Sequence, residues 1–150
     1  MWRLEDEIKQ ESFRNEFHKL AVNLIYTHSW LVSKIQAILS EFDITPQQFN
    51  ILRILRGQHP SPASITLLKE RMLDKMSDAS RLVDRLIQKG LVERKVCTSD
   101  RRKVDVIITD KGLKLLEEID KTNEETDSYL KNLTLNEAKK LNELLDKLRG

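Results

Sequence analysis

Cysteine, glycine and proline are scarce in this chain of 150 residues. A single cysteine excludes an internal disulfide framework and any cysteine-cluster zinc site. Four glycines and three prolines argue against disorder, a collagen repeat or a turn-rich β-sandwich, and favour long helices. An excess of one charge is missing as well. The 26 Lys and Arg against 24 Asp and Glu leave a net +2, which excludes a strongly basic nucleic-acid tail and an acidic solvating chain. There is no long hydrophobic run. The longest stretch free of charged side chains, Leu20 to Ser33, has 14 residues and includes Asn23, Thr27, His28 and Ser29, whereas a spanning helix needs about 20 apolar residues. The opening Met-Trp-Arg-Leu-Glu-Asp-Glu has no basic region followed by an apolar core, so no secretory signal is expected. These absences predict a soluble cytoplasmic protein of one domain, or one subunit of an oligomer, with no membrane partner.

Charge is nevertheless uneven. Residues 1–59 are net zero, residues 60–112 net +4 and residues 113–150 net −2. The electropositive middle matters if it also has a shape that fits nucleic acid.

Hydrophobic spacing predicts the elements. Phe13, Phe17, Leu20, Leu24, Leu31, Ile35, Ile38 and Phe42 recur mostly at steps of three and four, predicting one helix from about Ser12 to Glu41. Thirty such residues would span about 45 Å, more than a lone small domain buries, so part of that helix is expected to pack on another chain. Thr45-Pro46-Gln47-Gln48 starts a second helix that stops near Gly57. Ser64 opens a third. After the break Asp74-Lys75-Met76-Ser77, Ser77 is the expected cap of a fourth helix, roughly Asp78 to Lys89, ended by Gly90. The period then changes to two: Leu91–Cys97 and Val104–Thr109 read as strands around a charged tip, Thr98–Lys103. Helical spacing returns from Leu113, and Thr134-Leu135-Asn136-Glu137 is a capping box for a last helix.

Two short helices joined by a tight turn and followed by a β-hairpin make a winged helix-turn-helix. The expected architecture is mainly α with a small β-hairpin wing. Residues 45–112 form the winged helix-turn-helix, and residues 1–44 and 113–150 form a helical dimerisation domain. The second helix of the pair would expose Ser77, Ser80, Arg81 and Arg85, with the two arginines four apart on one face. Hydroxyls near a helix start suit phosphates or base edges, and arginine suits guanine. At the hairpin tip, Asp100, Arg101, Arg102 and Lys103 put cations on an exposed loop, which fits a narrow minor groove. The neutral and acidic ends of the chain, with apolar stripes, are poor DNA surfaces but good helix partners. Phe13, Phe17, Leu133, Leu141, Leu145 and Leu148 are the interface candidates. A twofold dimer predicts a pseudo-palindromic double-stranded DNA site with half-sites about 10 to 10.5 base pairs apart.

Residues Ile65 to Gly112 resemble the winged helix-turn-helix of the MarR family of bacterial transcriptional regulators. The matching text is Ser80-Arg81-Leu82-Val83-Asp84-Arg85-Leu86, Lys89-Gly90-Leu91-Val92-Glu93-Arg94, Ser99-Asp100-Arg101-Arg102 and Thr109-Asp110-Lys111-Gly112. The flanking helices agree, so the resemblance extends over nearly the whole chain. It implies a homodimer with intertwined terminal helices and recognition helices in successive major grooves. It implies Arg102 as a minor-groove contact, and Ser77, Ser80, Arg81 and Arg85 at the major groove or its phosphates. It implies a regulator, most simply a repressor, released by a small-molecule effector. Family members bind such molecules between the dimer helices and the winged domain, where Tyr26, His28, Trp30, Phe49 and Arg53 are the candidates for an aromatic or anionic ligand. Some members sense oxidants with a cysteine in the first helix. Here Cys97 stands beside the wing instead, so that role does not carry over.

Cofactor and enzyme readings find no footing. His18, His28 and His59 form no matched ligand set, so no metal is expected. There is no glycine-rich phosphate loop and no Gly-x-Ser-x-Gly. The pairs Glu117-Glu118 and Glu124-Glu125 are adjacent on helices and point about 100° apart, as solvated faces do. The competing reading is a winged-helix protein-interaction module without a DNA role, which has no need of an exposed Asp100-Arg101-Arg102.

Overall fold

The computed structural model describes residues 2–96 and 104–150. The chain divides into two compact units, one ending at Pro46 and the other spanning Gln47–Gly150.

The first unit holds α1 (Leu4–Ile8) and α2 (Glu16–Ser40). The single helix predicted from Ser12 to Glu41 is therefore shorter and is preceded by a separate turn of helix. Its start is set by Asn15, whose side chain accepts from the His18 backbone N–H at 2.8 Å. The two helices are joined by polar contacts. The Lys19 ammonium donates to the Glu5 carboxylate and holds that carboxyl below its usual range. The hydrogen bond between the Tyr26 hydroxyl and the Glu7 carboxylate pushes the phenol up. Phe13 sits edge-on to His18 at 5.6 Å, with the Lys19 ammonium 5.9 Å from its ring centre.

In the second unit α3 runs Pro46–Gln58, as its proline start predicts, and buries Ile51, Leu52 and Leu55. It is followed by β1 (Ala63–Ser64), α4 (Ile65–Arg71), α5 (Ala79–Gln88), β2 (Val92–Val96), β3 (Val104–Ile108), α6 (Asp110–Asp120), α7 (Asn123–Ser128) and α8 (Leu135–Arg149). The Ser64 side chain caps α4 by accepting from Leu67 N–H at 3.1 Å. The wing is not a bare hairpin. Its sheet has three antiparallel strands in the order β1-β3-β2, with Ala63 paired to Val106 and Val92 to Ile108. Because β3 is the middle strand, Val106, Ile107 and Ile108 are all buried, and the expected two-residue alternation fails at its inner end.

The exit from α5 is closed by a Schellman motif. Gly90 takes φ +73° and its N–H donates to Ile87 O at 2.9 Å, while Leu91 N–H donates to Leu86 O at 3.0 Å. The start of α6 is locked onto this exit. Thr109 donates its N–H to Leu91 O at 3.0 Å and its hydroxyl to Gly90 O at 2.7 Å. The same hydroxyl accepts from Gly112 N–H at 3.2 Å, so α6 begins at Asp110 rather than Leu113. Lys111 Nζ donates to Lys89 O at 2.8 Å, a cation at the carbonyl end of α5. Gly112 lies so close to Leu91 that a Cβ there would stand 2.5 Å from the Leu91 carbonyl oxygen and 2.6 Å from Ile108 Cγ1.

A glycine in a helix is otherwise a cost of about 1 kcal/mol relative to alanine. At this corner the sign reverses, because the clashing oxygen belongs to the backbone. Gly112→Ala should lower stability by about 1–3 kcal/mol, read as a fall in the thermal midpoint. An unchanged or raised midpoint would show that α6 does not press on Leu91.

Candidate nucleic-acid interface

The helix-turn-helix is α4 and α5, with α4 also packed on β1 and β3, and α5 on β2. On α5, Ala79, Val83 and Leu86 are buried, and Leu82 and Ile87 flank them half-buried. The opposite arc carries Ser80, Arg81, Asp84, Arg85 and Gln88, all exposed. At about 100° per residue these five positions fan over about 140° of the helix surface, a width that suits a groove.

The cap of α5 is Asp78 rather than the expected Ser77. Its carboxylate accepts from Arg81 N–H at 3.1 Å, and Ser77 stands half-buried one residue outside. Both residue types cap well. Ser77 instead belongs to the preceding turn, where its N–H donates to Asp74 O at 3.3 Å.

The charges on the exposed arc are sorted. Asp84 would repel phosphate, but Arg94 of β2 donates a guanidinium N–H to its carboxylate. An exposed pair of this kind contributes only about 0–1 kcal/mol to stability. Its effect here is to neutralise the single acid of the arc and to tie the wing's first strand to α5. Arg81 and Arg85 are exposed and make no salt bridge among the described residues. Arg94 is thus a member of the site that the sequence reading quoted only as part of a motif. The available signal was an acid and a base on either side of the Gly90 corner.

Of the other predicted residues, Cys97, Asp100, Arg101, Arg102 and Lys103 lie outside the described residues. The predicted interface residues differ among themselves. Phe17 is 81% exposed, Leu141 44% and Leu148 51%, with Leu133 also exposed, whereas Leu145 is half-buried and Phe13 is covered in part by His18 and Lys19. No residue of α8 is buried, and its capping box, Thr134 with Glu137, is formed as predicted.

The candidate ligand residues fall in both units. In the first, Tyr26 opens with Trp2, Asp6, Glu7 and Lys9 onto a shallow cavity of about 430 Å³, His28 is exposed and Trp30 half-buried. In the second, the Arg53 guanidinium lies 5.7 Å from the Phe49 ring centre. Among the described residues no helix is long and apolar enough to cross a membrane.

Comparison with known proteins agrees with this arrangement. The MarR family pattern matches residues 44–104. The transcriptional repressor MdtR of Bacillus subtilis is 38% identical over 76 residues, an alignment covering 51% of this chain and 48% of MdtR. The structure superposes on E. coli MarR C80S complexed with operator DNA at a TM-score of 0.80 and 29% identity, over 92% of this chain and 99% of that one. It superposes on a MarR transcription factor from Planctomyces limnophilus at a TM-score of 0.69 and 30% identity, over 90% and 98% of the two chains. These relatives favour a transcriptional regulator over a protein-interaction module. A helix-turn-helix with a basic exposed arc, a three-stranded wing and this likeness over nearly its whole length place the chain in the MarR family of transcriptional regulators.

Proposed function

We propose that the protein acts as a homodimeric repressor that binds a pseudo-palindromic duplex through α5 in the major groove and the wing tip in the adjacent minor groove. The observation that carries this reading is the exposed arc of α5, where two arginines without a salt bridge among the described residues, and a serine, flank an aspartate already neutralised by Arg94. Such an arc offers positive charge to phosphates and bidentate donors to guanine. Ser80, Arg81 and Arg85 are the major-groove set, and Arg102, with Arg101 and Lys103 beside it, is the minor-groove set. The function is binding without catalysis, carried out in the cytoplasm where the genome is.

Dimerisation falls to the helices outside the winged unit's core. Leu135, Leu141, Leu144 and Leu148 are exposed on α8, and Phe17 and Ile25 on α2. Leaving such side chains in water forfeits about 1.5–3 kcal/mol for each that a partner would bury fully. A second copy covers them symmetrically, and it sets two α5 helices on one side of the duplex. An aromatic or anionic effector is the expected releasing ligand. The Arg53–Phe49 pair suits an aromatic carboxylate, with the cation for the acid and the ring for the ring.

Three outcomes follow in solution. Arg81→Ala and Arg102→Ala should each weaken binding to a selected duplex by about 1–3 kcal/mol in an electrophoretic or anisotropy titration, with little effect on scrambled DNA. Equal affinity for selected and scrambled duplexes at physiological salt would contradict specific recognition. Leu141→Asp should shift sedimentation from dimer toward monomer with the helical circular dichroism kept, and a substitution that leaves the dimer intact removes α8 from the interface. Phenolic acids titrated into a Trp2→Phe variant, in which Trp30 is the one remaining tryptophan, should change its fluorescence. No response at millimolar concentration would leave the effector without support.

A further inference from the structure

The two most exposed large apolar side chains among the described residues stand in one turn. Met76 is 94% exposed and Leu73 87%, both in the segment between α4 and α5. The turn is not loose. Leu73 N–H donates to the Asn50 side chain of α3 at 2.8 Å, and Met76 N–H donates to the Asp74 carboxylate at 3.0 Å. Ser77 N–H donates to Asp74 O at 3.3 Å. Its charged groups are hydrogen-bonded within the turn and to the ends of the two helices. The Lys75 ammonium donates to the carbonyls of Lys69 and Glu70 at the end of α4, and the Asp78 carboxylate caps α5. With Asp74 holding Met76 N–H and Lys75 satisfying α4, the turn presents two solvent-open apolar side chains at the leading end of the recognition arc.

That placement does not suit phosphate, which needs donors or cations. It suits the one apolar group that a base pair shows in the major groove, the thymine 5-methyl. The leading end of a recognition helix is also the part that approaches base edges. Resting on the DNA-binding reading above, we infer that Met76, flanked by Leu73, is a specificity-determining residue that packs on a thymine methyl and makes the half-site favour thymine at that position. Methionine is unbranched and soft, so it can fit a methyl without imposing one rotamer.

The test uses the full-length protein and a duplex enriched by it from a randomised pool. Each thymine is replaced in turn by deoxyuridine, which removes the methyl and keeps every hydrogen bond. One thymine per half-site should prove sensitive, with affinity falling about fourfold per methyl lost, the worth of one buried carbon. In Met76→Ala, and to a smaller degree in Leu73→Ala, that sensitivity should vanish while the other positions are unaffected. Both side chains are exposed, so the variants should keep the wild-type circular dichroism. No sensitive thymine, or one whose sensitivity survives both substitutions, overturns the inference and leaves DNA recognition standing. A pool that yields no enriched duplex overturns the DNA-binding reading itself, and the inference with it.

Discussion

The interface depends on one corner, where the chain leaves α5 and enters β2. The left-handed Gly90, the two Schellman bonds and the Thr109 hydroxyl on the Gly90 carbonyl join the end of the recognition helix to the start of α6. Gly112 lets α6 lie against the Leu91 carbonyl, and Lys111 meets the carbonyl end of α5. These contacts are backbone-to-backbone or reach backbone, so they fix geometry rather than only add attraction. The wing's two long strands begin and end at this corner, since Val92 pairs with Ile108. Helix and wing base are thereby held in one arrangement before any ligand arrives, which spares binding the cost of ordering them.

Charge is managed on the same scaffold. The middle of the sequence carries a modest net +4, far from a polycationic tail. Its effect depends on which charges are left outward. Asp84 is paired to Arg94, Asp78 caps α5, Asp74 holds the turn, and Lys75 and Lys111 satisfy helix carbonyls. These three acids are engaged in structure, and Arg81 and Arg85 are exposed without a salt bridge among the described residues. A small excess of charge becomes directional in this way, and direction is what specific recognition requires.

Local chemistry was legible in the sequence, and long-range pairing was not. The capping box at Thr134 and Glu137, the Ser64 cap, the proline start of α3 and the glycine exit of α5 each need only neighbours within a few residues, and each is formed or placed as read. The two-residue strand β1 exists because Ala63 finds Val106, more than forty positions along the chain, and nothing local announces it. The contact that joins α1 to α2, Lys19 with Glu5, spans 14 positions and is likewise unannounced. Asp78 rather than Ser77 caps α5, a choice between two adjacent good capping residues that helical spacing does not make. The recognition arc itself was visible from helical spacing alone. The partner that neutralises its one acid, Arg94, was hidden across the Gly90 corner.

The proposed homodimer sets two copies of α5 into successive major grooves on one side of a duplex. Methylation interference at guanine N7, which lies in the major groove, measures this most directly. Two clusters of interfering guanines centred about 10 to 10.5 base pairs apart on one face are the predicted result. Interference spread evenly along the duplex, or a single cluster without a symmetry mate, would contradict it.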